Sequence, residues 1–287
     1  MIALMLACVE AGTRVFERRI AVGVHTPDAA EKLMQGEGTR VLIMGNSLVR
    51  DDVDAVAVEQ IVNAERDDHV RVERYYLVSS TMSDWYYIFK NSFLATNRKP
   101  DVLVLCFALS HLQDGPITRP EIAHYYSSFS DIADIFTKQI PDFDGRTEFL
   151  LSKASLSFAE RRGLERRAMD VTIPHYRMSA NVVNEALKAK APPNRFSATF
   201  DDFERLRSLA KDANIPLIIA AMPGKKGYEI PSIVLDLERT GQLALIDDRS
   251  MPELDDAGFT DDFHLSSTGM AIFSQRLARQ LHPYVAR

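Results

Sequence analysis

Apolar residues follow two alternating rhythms along this chain, short unbroken runs and longer stretches at helical spacing. The first run, Val41-Leu42-Ile43-Met44, stops at Gly45-Asn46-Ser47 and leads into a segment where Val53, Val56, Ala57, Ile61 and Val62 recur at roughly helical intervals. A run this short does not by itself separate strand from buried helix. Gly45 and the cap-competent pair Asp51-Asp52 decide for a strand followed by a helix. Val70 to Val78, rich in β-branched and aromatic residues, predicts a second strand. Ser83-Asp84 predicts the cap of an aromatic helix carrying Trp85, Tyr86, Ile88 and Phe89, and Pro100 precedes a third strand, Asp101 to Phe107. Much further on, Phe203, Leu206, Leu209, Ala210 and Ala213 mark one helix face, with Asn214 as its C-cap. Ile215 to Met222 then predicts a fourth strand, with Pro216 at its start, where no ladder donor is lost. Ala244 to Asp247 is a short fifth, and a last helix turns Met270, Phe273, Leu277 and Leu281 inward. Such alternation predicts parallel βαβ units and one doubly wound α/β domain of five parallel strands, beginning at about Thr39.

Two stretches fall outside that rhythm. Residues 118–194 show no strand alternation: Tyr125, Tyr126, Phe129, Ile132, Ile135 and Phe136 predict one amphipathic helix, and Ala154 to Met169 another, carrying Arg161, Arg162, Arg166 and Arg167. This is a helical insertion between the third and fourth strands, of the kind that shapes access to a site. Its arginines read either as a solvated helix face or as a surface for an anionic partner. At the other end, Met1 to Val9 is apolar for too few residues to span a bilayer, which takes about twenty, and it lacks the basic start and cleavage site of a signal peptide. Two readings stand: an N-terminal helix packed on the domain, or the tail of a membrane anchor. Arg14, Arg18 and Arg19, placed like a charged stem, favour the anchor, and with it membrane association and a cell-envelope location. Ala29 to Gly38 is polar and reads as a connector.

Composition adds mainly exclusions. Across 287 residues, 46% hydrophobic and 26% charged residues describe a globular chain, and a net charge of -6 gives no basic surface for nucleic acid. Two cysteines, Cys8 in the apolar lead and Cys106 in a core strand, make no disulfide scaffold. Gly45 stands alone after the first strand, so there is no glycine-rich phosphate loop, and no Cys/His set has zinc spacing. No cofactor is implied.

The candidate chemistry lies at the ends of the α/β region. In open α/β sheets ligands bind outside the carboxyl ends of the strands, where Ser47 stands. Serine and asparagine are also ordinary turn and cap formers, so Ser47 alone carries both readings. A second stretch, Asp261-Asp262-Phe263-His264-Leu265-Ser266-Ser267-Thr268-Gly269, supplies what a serine nucleophile needs, an imidazole base and a carboxylate to orient it. Asp261 and His264, at i and i+3, share one side of a turn, whereas Asp262 faces elsewhere if that turn is helical.

Gly45-Asn46-Ser47-Leu48 resembles the first block of the SGNH/GDSL hydrolases, and Asp261-x-x-His264-x-x-x-x-Gly269 resembles their last, in the family's order. The resemblance implies a flavodoxin-like three-layer α/β/α fold with Ser47 as nucleophile, His264 as general base and Asp261 as its orienting carboxylate. It implies a serine-dependent ester hydrolase acting on acyl esters, acetyl esters of carbohydrates first among them. It leaves open an O-acyltransferase that modifies an envelope or exported polysaccharide, and a non-catalytic carbohydrate-binding relative. The chain also departs from the family. That pattern has a glycine after the second strand and Gly-x-Asn-Asp after the third, which build the oxyanion hole. Here the corresponding stretches are Ser79-Ser80-Thr81-Met82-Ser83 and Ala108-Leu109-Ser110-His111. Ser80 or Thr81, and Ser110, are the substitutes at hand, and His111 stands close to them in sequence.

Overall fold

A computed structural model describes residues 2–20, 28–33, 35–64, 66, 68–117, 120–176 and 197–285. The chain divides into two compact units, one formed by residues 27–114 and 198–287, the other by 1–26 and 115–197.

The larger unit is built on five parallel strands, β1 (Thr39–Gly45), β2 (Val70–Tyr76), β3 (Val102–Phe107), β4 (Leu217–Ala221) and β5 (Ala244–Asp247), in the order β2-β1-β3-β4-β5. This is the flavodoxin-like doubly wound order, whose topological switch point lies between β1 and β3. Every residue of β3 and β4 is buried, as are Val41 to Gly45 of β1. That is why these strands read as unbroken apolar runs: a parallel strand covered on both faces has no solvent side to alternate toward. Val41, Ile43, Val104 and Ile218 share one core with Val49 of α3 (Ser47–Asp52), Val58 and Val62 of α4 (Ala55–Ala64), and Phe273, Leu277 and Leu281 of α12 (Ser267–Val285). Leu42, Met44, Leu103 and Leu105 are equally buried and alternate onto the opposite face. There α10 (Asp201–Asp212) packs on β4 and on α5 (Met82–Ile88). Asn214 takes the left-handed conformation (φ 57°) just past α10, and Ile215 N–H reaches back to Ala210 O at 2.8 Å, the long bond of a Schellman stop.

Several local expectations change. Asp51 and Asp52 do not cap the helix after β1, because that helix starts at the serine itself: Asn46 is the N-cap, its Oδ1 accepting from Leu48 N–H at 3.1 Å. The two aspartates end α3, and Asp54 caps α4 through Val56 and Ala57 N–H, both at 3.1 Å. Thr81, not Ser83, caps α5, because Asp84 lies three residues on and reaches back to Thr81 N–H at 2.8 Å in a capping box. The stretch expected as a polar connector holds α2 (Asp28–Leu33), whose Ala30 and Leu33 are fully buried and which packs on β1 and β2. Two buried positions in one short helix leave no periodic signal.

The smaller unit contains α1 (Ile2–Ile20), α6 (Ile132–Lys138), α7 (Phe143–Ala154), α8 (Leu156–Ala159) and α9 (Arg161–Thr172). The aromatic stretch expected as one helix is interrupted. A π-turn at Ile122–Tyr126 ends at extended Ser127, and a Ser128/Asp131 capping box starts the chain again. Extended Ser155 and the turn at Glu160 likewise divide the second expected helix among α7, α8 and α9. Glu10 of α1 takes over the amino end of α8, accepting from Leu156 N–H (3.1 Å), Ser157 N–H (3.0 Å) and Ser155 Oγ (2.9 Å). Burial works to raise its carboxyl, but these donors outweigh that and hold it at about 2. No residue of α9 is buried, so its arginines line a solvated helix, where Arg161 pairs with Glu148 and stacks on Phe158. No helix among the described residues is long and apolar enough to cross a membrane. The side chains of Arg18 and Arg19, and residues 118–119 and 177–194 of the expected insertion, lie outside the described residues.

Candidate active site

Ser47 is the first residue of α3, directly beyond the carboxyl end of β1. The turn that delivers it requires glycine for space, since a Cβ on Gly45 would meet Val49 Cγ2 at 2.5 Å and the Cys106 carbonyl of β3 at 3.0 Å. With β1 pressed against β3 there, Asn46 sets the direction of α3 and leaves the Ser47 side chain at the switch-point edge of the sheet.

His264 arrives on the loop between β5 and α12. Phe259 and Leu265 form an antiparallel bridge, and Thr260 N–H donates to His264 O at 2.8 Å, closing residues 260–264 into a tight loop. The turn is not helical. Asp261 folds it by accepting Phe263 N–H at 2.8 Å and His264 N–H at 2.7 Å on Oδ1, an Asx-type arrangement that leaves Oδ2 facing His264 Nδ1 at 2.8 Å. His264 Nε2 then lies 3.1 Å from Ser47 Oγ. The loop is seated by Gly269, where a Cβ would lie 2.1 Å from Gly258 O, so any side chain there displaces the loop or α12. Asp262 is turned away and pairs with Lys226 at 2.6 Å.

These contacts fix the protons. Burial alone would raise Asp261, but the two amides and the imidazole outweigh it and hold the carboxyl at about 2, so it is an ionised acceptor at neutral pH. A carboxylate at 2.8 Å from Nδ1 requires the hydrogen of neutral His264 on Nδ1. Nε2 is therefore bare and faces the serine hydroxyl. Ser47, His264 and Asp261 thus form one continuous hydrogen-bonded chain, the arrangement a serine relay requires.

The other expected residues sit differently. Ser80 is almost fully buried, and its Oγ accepts Trp85 Nε1–H at 2.7 Å. Thr81 is occupied in capping α5. Ser110 is half-buried on the turn after β3, its carbonyl accepting from Gln113 N–H at 2.9 Å. Neither Ser80 nor Ser110 is hydrogen-bonded to a relay residue. Left-handed turns follow both β2 and β3 without glycine, at Ser79 (φ 58°) and Leu109 (φ 53°), a backbone cost of roughly 1 kcal/mol each.

Sequence reasoning underweighted His111. Its Nδ1 lies 3.3 Å from Ala108 N–H and 3.2 Å from Asn46 Nδ2, and the asparagine's orientation is set by Leu48 N–H on its Oδ1. Both neighbours of Nδ1 are donors, so Nδ1 is the acceptor and the ring hydrogen sits on Nε2. Burial first, and then the nearby His264, push its pKa down to about 4, so it is neutral at pH 7. Asn46, the residue before Ser47, therefore caps α3 with its oxygen and fixes His111 with its nitrogen. A carboxylate at that position could do only the first. Among the described residues no group of three or more His, Cys, Asp or Glu side chains converges as a metal site would require.

No protein-family model and no curated protein sequence matches the chain. Solved structures with a similar backbone include a GDSL-like lipase from Bacteroides thetaiotaomicron, 11% identical, covering 96% of this chain and 100% of that one at a TM-score of 0.44. They also include a catalytic mutant of an acetylxylan esterase from Geobacillus stearothermophilus, 13% identical, covering 86% and 95% at a TM-score of 0.42. Likeness this distant carries no argument about activity. Strand order and the contacts of Ser47, His264 and Asp261 are this chain's own.

Proposed function

We propose that the chain is an SGNH-type serine ester hydrolase that works through an acyl-enzyme on Ser47. The observation that carries this reading is the unbroken relay from Ser47 Oγ through His264 to Asp261, at 3.1 and 2.8 Å, at the sheet's switch point. Ser47 Oγ attacks the ester carbonyl carbon while its proton passes to the bare Nε2 of His264. The carbonyl oxygen becomes an oxyanion, and Asp261 supports the imidazolium. As the tetrahedral species collapses, the alcohol leaves with the proton held on Nε2. Water then gives a proton to Nε2 and attacks the acyl carbon, releasing the acid and restoring Ser47.

The oxyanion donors we assign are the Ser47 amide, in the first turn of α3, and Ser110 on the turn after β3. Each such donor is typically worth about 2.7–4 kcal/mol. Ser80 is less suited, since its oxygen already serves the Trp85 indole.

We take the substrate to be an acyl ester, an acetyl ester of a carbohydrate first among candidates. The same acyl-enzyme serves an acyltransferase if a sugar hydroxyl replaces water, so acceptor dependence is the discriminating test. Acetylated xylo-oligosaccharide is incubated with the protein, with and without unacetylated oligosaccharide, and free acetate and acetylated acceptor are measured. Acetate release that ignores the acceptor is the expected result. Donor consumption that rises with acceptor, yielding acetylated sugar, replaces hydrolysis with transfer, and no consumption of acetylated xylo-oligosaccharide or of p-nitrophenyl acetate contradicts both.

A further inference from the structure

The helix that opens with the nucleophile closes with a carboxylate the relay does not use. Asp52, the last residue of α3, is fully buried. Its Oδ1 accepts Leu265 N–H at 2.8 Å, a bond spanning 213 positions to the residue directly after His264. Its Oδ2 is buried with no hydrogen-bond partner. A buried carboxylate oxygen left without a donor is costly, so the site is not built for stability alone.

We propose that Asp52 is a positioning residue for the catalytic base. It brackets the His264 loop to the nucleophile's own helix, and when ionised it adds a second negative charge near the imidazole. The inference rests on Ser47, His264 and Asp261 being the catalytic relay. One short helix then fixes both reacting groups: its first residue carries the attacking oxygen, and its last holds the backbone next to the base. The rest of α3 is braced to make this bracket stiff. Arg74 of β2 donates to the carbonyls of Arg50 at 2.7 Å and Val53 at 2.5 Å, and Asp54 N–H donates to Ser274 Oγ of α12 at 2.9 Å.

The charge on Asp52 changes within the working range of such an enzyme. Burial raises its pKa to about 7, assisted by Asp51 on its own helix and Asp261 on the loop, and opposed by the Leu265 amide and His264. The Cys106 thiol of β3 is held protonated by its burial above all, and then by Asp248 and Asp52. Below about pH 7 Asp52 is neutral and its Oδ1 still anchors Leu265. Above it Asp52 is an anion that favours the imidazolium formed during attack. Anchoring is thus present at every pH, and the electrostatic support only on the alkaline side.

Two substitutions separate these roles. Asp52→Asn keeps an oxygen for Leu265 N–H and removes the charge, whereas Asp52→Ala removes both. The His264 imidazole is titrated by NMR in wild type and both variants, and kcat and KM for p-nitrophenyl acetate are followed from pH 5 to 9. In Asp52→Asn the His264 pKa is expected to fall by about half a unit to one unit, and the rise of kcat with pH to move down by the same amount. In Asp52→Ala kcat is expected to fall roughly ten- to a hundredfold with little change in KM, most of it restored in Asp52→Asn. An unchanged His264 pKa in Asp52→Asn overturns the charge role, and a wild-type kcat in Asp52→Ala overturns the anchor. Should Asp52→Ala not fold, Asp52→Asn carries the charge test and amide hydrogen exchange of Leu265 in the wild type carries the anchor test, protection supporting the anchor and rapid exchange overturning it. A wild-type protein with no Ser47-dependent turnover defeats the hydrolase reading instead, and the NMR titration still reports whether Asp52 acts on His264.

Discussion

Ser47→Ala is expected to lower kcat for an acetyl ester by about a million-fold, with the protein folded as before. The size follows from what remains. Alanine offers no oxygen for acylation, and in a serine relay loss of the nucleophile alone costs nearly as much as loss of the whole triad. The fold is expected to survive because the local structure does not depend on the hydroxyl. Asn46 caps α3, Gly45 gives β1 its close approach to β3, and alanine is a better helix former than serine. Thermal unfolding within a degree or two of wild type, together with background turnover, is the expected pair of results. Substantial remaining turnover would move the nucleophile elsewhere.

Asp261→Asn is expected to cost about ten-thousandfold in kcat, and Asp262→Asn only a few-fold. Asp261 does two things at once: Oδ1 shapes the loop by taking the Phe263 and His264 amides, and Oδ2 holds the hydrogen on Nδ1. Asparagine keeps the first function through its carbonyl. It then presents an NH2 group to Nδ1, which drives the ring hydrogen to Nε2 and takes the base away from Ser47. The Asp262 side chain pairs with Lys226, three-quarters exposed, and exposed ion pairs contribute about 0–1 kcal/mol. Steady-state kinetics on the two variants checks this, and equal losses would mean that the neighbouring aspartates share the role.

What could be read from sequence, and what could not, divides along the range of the interaction concerned. β1, β3 and β4 announce themselves because burial on both faces of a parallel sheet leaves only apolar residues, and β5 is bounded by its own short run. The meeting of Ser47, His264 and Asp261 was legible because Asp261 and His264 are close in sequence and a serine relay needs its serine at a strand end. The i, i+3 spacing is met without a helical turn, by a loop whose backbone amides donate to the Asp261 side chain. The interrupted helices of the smaller unit were missed for a related reason. Capping boxes such as Ser128/Asp131 override a hydrophobic period that continues past them. The places of Asp52 and His111 could not be read, although both residues were noticed: Asp52 acquires its partner 213 positions away, and His111 is meaningful only once Asn46 is beside it. The turns at Ser79 and Leu109 were hidden because left-handed backbone there is held by surrounding structure, without the glycine that usually signals it.

The central claim is that His264, oriented by Asp261, makes Ser47 the reactive serine of this chain. The folded protein is treated with an activated phosphonate ester, which phosphonylates no ordinary hydroxyl and so reports activation by a base, and the adduct is located by peptide mass spectrometry. A single adduct on Ser47, lost in Ser47→Ala and nearly lost in His264→Ala, is the predicted result. Labelling that persists in Ser47→Ala, or a folded wild-type protein that is never labelled, would contradict it.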